Sequence, residues 1–71
     1  MGETETGEDW IRRFAAELGL EAPGEWEFEQ VLELASVAAH SSERKAAPVA
    51  CWLFGLSGRS VEEAIEIAKR T

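Results

Sequence analysis

The chemically most varied stretch of the sequence is residues 38–52, AAHSSERKAAPVACW. It contains the only histidine of the chain, two adjacent serines, a Glu-Arg-Lys triplet, a proline and a tryptophan. Side chains of these types bind anions, hydrogen bond to partners or transfer protons. The sequence therefore predicts that a ligand- or partner-binding site consists of His40, Ser41, Ser42, Glu43, Arg44, Lys45 and Pro48.

The start of the third predicted helix is a candidate anion site. Proline favours the first position of a helix, so we expect this helix to begin at Pro48 with Ala47 as its N-cap. Alanine offers no side-chain acceptor to the free amides of the first turn, and Arg44 and Lys45 are close in the chain. Either a phosphate or carboxylate binds these amides, or Glu43 or a serine folds back and caps them. Both alternatives are open at the level of the sequence.

Catalysis and metal binding find little support in the same residues. His40 lies near the end of the second predicted helix, where it can hydrogen bond to the last carbonyl groups. As a general base it would need a well-aimed nucleophile, and as a metal ligand it would need partners, of which Glu43 is the only nearby acid. Cys51 lies in an uncharged run and is expected to be a small buried residue rather than a reactive thiol. We therefore expect no enzymatic activity, no metal and no cofactor.

Charge and composition argue against several classes of function. The net charge is −7, and residues 1–33 have a net charge of −8 whereas residues 34–71 have one of +1. An acidic surface repels phosphates, so we expect no nucleic acid partner. A single cysteine allows no intrachain disulfide and fits a reducing, cytoplasmic location. No apolar segment approaches the about 20 residues of a membrane span, so we expect no membrane partner.

Apolar residues recur with helical spacing along the whole chain. Thr6 with Asp9 and Ser60 with Glu63 have the spacing of a capping box, which marks a helix start. No segment shows the alternation typical of a strand. The predicted helices run from about Glu8 to Leu18, from Trp26 to near His40, from Pro48 to a stop at Gly58, and from Ser60 to about Arg70.

These elements predict an all-α fold, a small four-helix bundle. A chain of 71 residues forms one domain at most. Residues 1–7 are small, polar and acidic, and we expect them to form a disordered acidic N-terminus. Residues 8–71 then form the single helical domain.

The third predicted helix contains a nine-residue run without charge, PVACWLFGL, at residues 48–56. Such a run indicates either the most buried helix or a helix with one face reserved for a partner. Its large side chains cannot all share one face, so the helix is surrounded or one aromatic residue is exposed. Because tryptophan is favoured at interface hot spots, Trp26 and Trp52 are candidate interface residues.

The pattern Ala-His, three residues, Arg, one residue, Ala-Ala-Pro precedes an aromatic-Leu-x-Gly-Leu run. Together with Asp9-Trp10 and Leu18-Gly19, this pattern resembles a bacterial family of small helical domains of unknown function. Members occur alone or fused to molybdenum cofactor guanylyltransferases of the MobA type. The resemblance covers most of the chain after its start. The matching positions of the central motif are Ala39, His40, Glu43, Arg44, Ala46, Ala47, Pro48, Leu53, Gly55 and Leu56.

The resemblance implies an association with the biosynthesis of molybdopterin-guanine dinucleotide. We therefore expect a non-enzymatic accessory domain that binds another protein, with a molybdenum cofactor guanylyltransferase as the partner. One alternative is a small module that binds phosphate or a nucleotide. Another is a domain that forms homo-oligomers through the third helix.

Overall fold

Four α-helices make up the fold in the computed structural model, which describes residues 5–71. They are α1 (Gly7–Leu18), α2 (Glu25–Ser41), α3 (Ala46–Ser57) and α4 (Val61–Lys69). No residue in the range 5–71 belongs to a strand. The prediction of a small all-α fold with four helices is confirmed. None of these helices combines the length and the apolar composition needed to cross a lipid bilayer.

The start of α1 overlaps the N-terminus that we expected to be disordered. Residues 1–4 of that segment lie outside the described residues, whereas residues 5–7 form the capped start of the helix. The Thr6 hydroxyl accepts a hydrogen bond from the Asp9 amide at 3.0 Å. Only this half of the predicted capping box is present, because the Asp9 carboxylate pairs with the Arg12 guanidinium.

Local signals place three of the other helix ends where the sequence predicts them. Gly19 ends α1 and Gly58 ends α3, with φ angles of 79° and 74° that favour glycine. The Ser60 hydroxyl accepts a hydrogen bond from the Glu63 amide at 3.2 Å, and the Glu63 carboxylate accepts one from the Ser60 amide at 3.4 Å. This reciprocal capping box starts α4 as predicted.

Helix α3 begins two residues earlier than the sequence predicts. Its first residue is Ala46 and its N-cap is Lys45, so the prediction of a helix that begins at Pro48 with Ala47 as the N-cap is wrong. The first amides of a helix have no intrahelical acceptor, so a proline in the third position forfeits no helical hydrogen bond. Proline therefore marks the first turn of the helix rather than its first residue.

Helix α2 is the centre of the packing, since α3 and α4 both lie against it. Leu34 of α2 forms the buried core with Val61 and Ile65 of α4. Helix α1 makes only sparse contacts with the other three helices and buries Ala15. The core is extended by partly buried side chains from three helices, namely Val31, Cys51, Phe54, Ala64 and Ala68.

The buried core is small for the length of the chain. Within residues 5–71 the buried side chains are Ala15, Leu34, Val61 and Ile65. The accessible surface is 5638 Å², whereas a folded monomer of 7.8 kDa typically exposes about 4,400 Å². Among the residues that the structure describes, ten large hydrophobic side chains are exposed, and they are spread over α1, α2 and α3 and the residues that follow α1. Much of the apolar surface of the helices is therefore uncovered in the single chain.

Candidate functional site

Two of the side chains singled out from the sequence turn back onto the end of α2. The His40 Nδ1 atom lies 2.8 Å from the Ser36 carbonyl oxygen and 3.2 Å from the Ser36 hydroxyl oxygen. The sequence predicts a bond to the last carbonyl groups of the helix, whereas the Ser36 carbonyl lies one turn before His40, inside α2. The Ser42 hydroxyl donates a hydrogen bond to the Ala38 carbonyl oxygen at 3.0 Å. The Ser42 hydroxyl thus stabilises the last turn of α2, and the His40 ring is held against the preceding turn.

The first amides of α3 are already hydrogen bonded. The Ala46 amide donates to the Glu43 carbonyl oxygen at 3.0 Å, and the Ala47 amide donates to the Arg44 carbonyl oxygen at 3.1 Å. Pro48 has no amide hydrogen. Backbone carbonyl groups, rather than the side chain of Glu43 or of a serine, therefore satisfy this helix start. A phosphate or carboxylate would find these amides already engaged.

The charged residues of the loop are exposed and lie directly before α3. The Lys45 ammonium group is 3.8 Å from the Glu43 carboxylate, an exposed contact of the kind that contributes little stability. Arg44 is also exposed, and within residues 5–71 its guanidinium takes part in no ion pair. Arg44 is consequently free to meet an acidic partner, and Lys45 would exchange only its weak contact with Glu43.

Helix α3 presents an apolar side to solvent. Val49, Trp52, Leu53 and Leu56 are spaced three and four residues apart and are all exposed; we call them the outer face of α3. The Trp52 side chain is 64% exposed. Phe54 lies on the opposite side and packs against the core. The interpretation of α3 as the most buried helix is therefore wrong, because none of its residues is buried.

Trp26, the other candidate interface residue, lies on a different helix from Trp52. It is exposed at the start of α2 and lines an open cavity of about 630 Å³ with Val31, Phe54 and Val61. Trp52 does not line this cavity. The two tryptophans, which the sequence treats as equivalent, therefore belong to separate surfaces.

Cys51 lies between α3 and α2 and is half buried. Its thiol lies 3.9 Å from the Val31 carbonyl oxygen, within reach of a weak hydrogen bond. Burial raises the pKa of the Cys51 thiol, which keeps it in the less nucleophilic protonated form. This environment is that of a structural cysteine, although Cys51 is only half buried where the sequence predicts a buried residue.

Exposed aromatic residues on α1 are a feature that the sequence reasoning missed. Trp10 and Phe14 stack with their ring centres 5.0 Å apart, and with Leu18 they form a second exposed apolar row, which we call the α1 stripe. Periodicity shows that a helix face is apolar, but it does not show whether another element covers that face. The sequence predicts the apolar spacing of these residues and makes no prediction about their exposure.

A third apolar surface lies between α2, α3 and α4 and shares Leu53 with the outer face of α3. It is a groove of about 610 Å³, which we call the α2–α3–α4 groove. Ser41 and Ser42 are among the residues that line it. No group of three histidine, cysteine, aspartate or glutamate side chains able to hold a metal ion occurs in residues 5–71. The described residues therefore offer apolar surfaces next to exposed charges, the arrangement of a binding surface.

The comparisons with known proteins assign a family but no activity. A family model described as a domain of unknown function, DUF6457, matches residues 2–71. No curated protein and no solved structure matches the chain significantly.

Proposed function

The chain belongs to the DUF6457 family of domains of unknown function, and we propose that it is a non-enzymatic protein-interaction domain that docks through the outer face of α3. The observation that carries this proposal is the uncovered apolar row of α3 with Trp52 at its centre. A helix that is apolar on all sides is normally surrounded by protein. Here α2 covers only the inner side. Another protein would complete the burial.

The composition of this surface suits a specific interface. Tryptophan and arginine are the residue types most enriched among interface hot spots, and apolar centres are commonly bordered by polar residues. The outer face of α3 provides Trp52, and Arg44 and Lys45 precede the same helix in the chain. We therefore propose that the partner presents an apolar pocket for Trp52 with carboxylates at its border.

The partner that we propose is a molybdenum cofactor guanylyltransferase of the MobA type. The support for this identification is the sequence resemblance to small helical domains that occur fused to such enzymes. A domain that is covalently attached to an enzyme in some proteins and separate in others would need a docking surface in the separate form. The outer face of α3 is the best candidate for that surface.

A pair of variants with the same change in charge tests the docking surface. Trp52→Glu alters the outer face of α3, whereas Leu32→Glu alters an exposed leucine of α2 outside that face. Calorimetric titration into a purified guanylyltransferase should show at least about 30-fold weaker binding for Trp52→Glu, equivalent to about 2 kcal/mol for a hot-spot residue. Leu32→Glu should bind like the wild type. Equal binding by both variants would refute docking through α3, and no binding by the wild type would refute the proposed partner.

The charged border is tested by Arg44→Ala combined with Lys45→Ala. Because both side chains are exposed, the double variant should keep the thermal stability of the wild type. Its association with the guanylyltransferase should be slower, and the rate should depend less on salt concentration. A loss of stability that matches the loss of binding would show that these residues support the fold instead.

A further inference from the structure

The cavity beside Trp26 is a surface that docking through α3 does not use. We call it the Trp26 cavity; it has a volume of about 630 Å³ and is lined by Trp26, Val31, Phe54 and Val61, among others. It lies where the start of α2 meets the start of α4 and the inner side of α3. Ligand pockets typically have volumes of about 300 to 1,000 Å³, so this cavity is large enough to receive a side chain of a partner.

The wall of the Trp26 cavity is apolar. Val61 belongs to the buried core, and Val31 and Phe54 pack against that core. These three side chains are therefore held in place by the packing of α2, α3 and α4. Trp26 adds an aromatic side chain that is 54% exposed. The wall thus combines a fixed apolar surface with an accessible indole ring.

The border of the Trp26 cavity is acidic. Glu21, Glu27 and Glu62 line it, and in the part of the chain that the structure describes none of these carboxylates belongs to an ion pair. Arg59 also lines the cavity, but its guanidinium lies 3.7 Å from the carboxylate of Glu63, which is not a lining residue. Even with Arg59 counted, the negative charges exceed the positive ones. The cavity therefore keeps an excess of negative charge.

The placement of these carboxylates fits an organic cation better than a metal ion. The Glu27 side chain is fixed at the cavity, since its Oε1 atom accepts a hydrogen bond from the Gly24 amide at 2.9 Å. Metal ions in proteins are held by several clustered ligands, and within residues 5–71 no group of three histidine, cysteine, aspartate or glutamate side chains could hold one. Glu21, Glu27 and Glu62 come instead from three separate segments around an apolar wall.

An arginine side chain has the chemistry that such a cavity selects. Its aliphatic stem packs on apolar surface while its charged end stays accessible to polar groups. The guanidinium stacks on an indole ring and forms paired hydrogen bonds with carboxylates. A phosphate or an acidic segment would be repelled by the same glutamates. The chemistry of the cavity therefore favours a basic partner.

We propose that the Trp26 cavity binds a basic segment of another protein through an arginine side chain that stacks on Trp26 and pairs with the glutamates of the border. Glu21 and Glu27 belong to the acidic first half of the sequence, whose net charge of −8 over residues 1–33 attracts a basic segment. No residue of the outer face of α3 lines the cavity. This contact is therefore independent of the proposed docking through α3.

An NMR titration of the isotope-labelled full chain with a short peptide tests the proposal. The probe is a blocked peptide of sequence Ala-Leu-Arg-Leu-Arg-Ala, and the control peptide carries citrulline, a neutral isostere of arginine, in place of each arginine. The arginine peptide should move the indole signal of Trp26 and the amide signals of residues 21–23 and 59–62 saturably. Its dissociation constant should be about tenfold lower than that of the citrulline peptide.

Variants of equal net charge separate the Trp26 cavity from a general attraction to the acidic chain. Glu21→Gln combined with Glu62→Gln removes two carboxylates from the border, and Trp26→Ala removes the indole ring. Each should raise the dissociation constant of the arginine peptide about fivefold. The control combines Glu29→Gln with Glu66→Gln, two exposed glutamates that do not line the cavity, and should bind like the wild type. Circular dichroism verifies that the variants fold.

Several results would overturn the proposal. Equal binding of the two peptides, or no saturable change at millimolar peptide, would refute an arginine site. Equal losses in the two double variants would show that the attraction depends on net charge alone. Self-association without peptide that Trp26→Ala abolishes would make a second copy of the chain the occupant instead. None of these results bears on binding to a guanylyltransferase through α3, which is measured separately.

Discussion

Two leucine-to-alanine substitutions compare the stability contributed by a core position with that contributed by a position on the outer face of α3. Leu34 is 3% exposed in the core, and Leu56 is 66% exposed on the outer face. The chemical change is identical at the two positions, and both leucine and alanine favour the helix. The difference in the free energy of unfolding between the two variants therefore reports burial.

The expected magnitudes follow from the buried fractions. Leucine to alanine removes three carbon atoms, or about 2.4 kcal/mol for a fully buried side chain at about 0.8 kcal/mol per CH₂. Scaled by burial, the transfer loss is about 2.3 kcal/mol for Leu34 and about 0.8 kcal/mol for Leu56. A cavity adds to the loss at Leu34, for a total of about 3 kcal/mol. A domain of this length has a total stability of about 4 to 10 kcal/mol, so Leu34→Ala should remove a large share of it.

Urea denaturation followed by circular dichroism at low micromolar concentration measures both values. Low concentration keeps association from contributing to the stability. We expect Leu34→Ala to lower the urea midpoint strongly and Leu56→Ala to lower it slightly, with unchanged slopes. Equal losses in the two variants would refute the reasoning, since they would mean that another part of the chain covers the outer face of α3.

Two further predictions concern local features of the fold. Ser60→Ala should lower the free energy of unfolding by about 1 kcal/mol because it removes half of the capping box of α4. Ser60→Asp should keep most of the wild-type stability, since aspartate is also a good N-cap. Thermal melts of the wild type and the two variants measure the difference. Burial raises the pKa of the Cys51 thiol above its value in the unfolded chain. The contribution of the Cys51 thiol to the free energy of unfolding is therefore present below the unfolded pKa and is lost as the pH rises through the folded pKa. Denaturation curves at alkaline pH should accordingly show a shallower loss of stability for Cys51→Ala than for the wild type, and parallel pH profiles would contradict this account.

The parts of the fold that depend on local sequence could be predicted well. The stops at Gly19 and Gly58 and the capping box of Ser60 and Glu63 depend on residues within one turn of one another. The start of α3 was misplaced because proline is compatible with several positions of the first turn, and only the hydrogen bonds of the Ala46 and Ala47 amides distinguish them.

The parts that depend on packing could be predicted only in part. The sequence shows that α1 and α3 have apolar faces, and the geometry of a helix requires that Trp52 and Phe54 point in different directions. The sequence does not show whether Trp52 or Phe54 points towards α2, because that orientation depends on long-range packing with Leu34 and α4. For the same reason the exposure of Trp10 and Phe14 was missed. Likewise, residues 40–45 had candidate chemistry in the sequence, yet the His40 side chain bonds within α2 and the Ser42 hydroxyl turns back to the Ala38 carbonyl oxygen of that helix.

The sparse attachment of α1 has a consequence for the dynamics of the domain. Elements that bury little surface open with a smaller free energy than the whole protein, and α1 buries Ala15 whereas α2 and α4 share the core. Amide hydrogens of α1 are then expected to exchange through local detachment, while those around Leu34 exchange only through global unfolding. Helix α1 is thus expected to open as a separate cooperative unit, connected to α2 by residues 19–24. Such a unit can change partners at a small energetic cost without disturbing the three helices that hold the fold together.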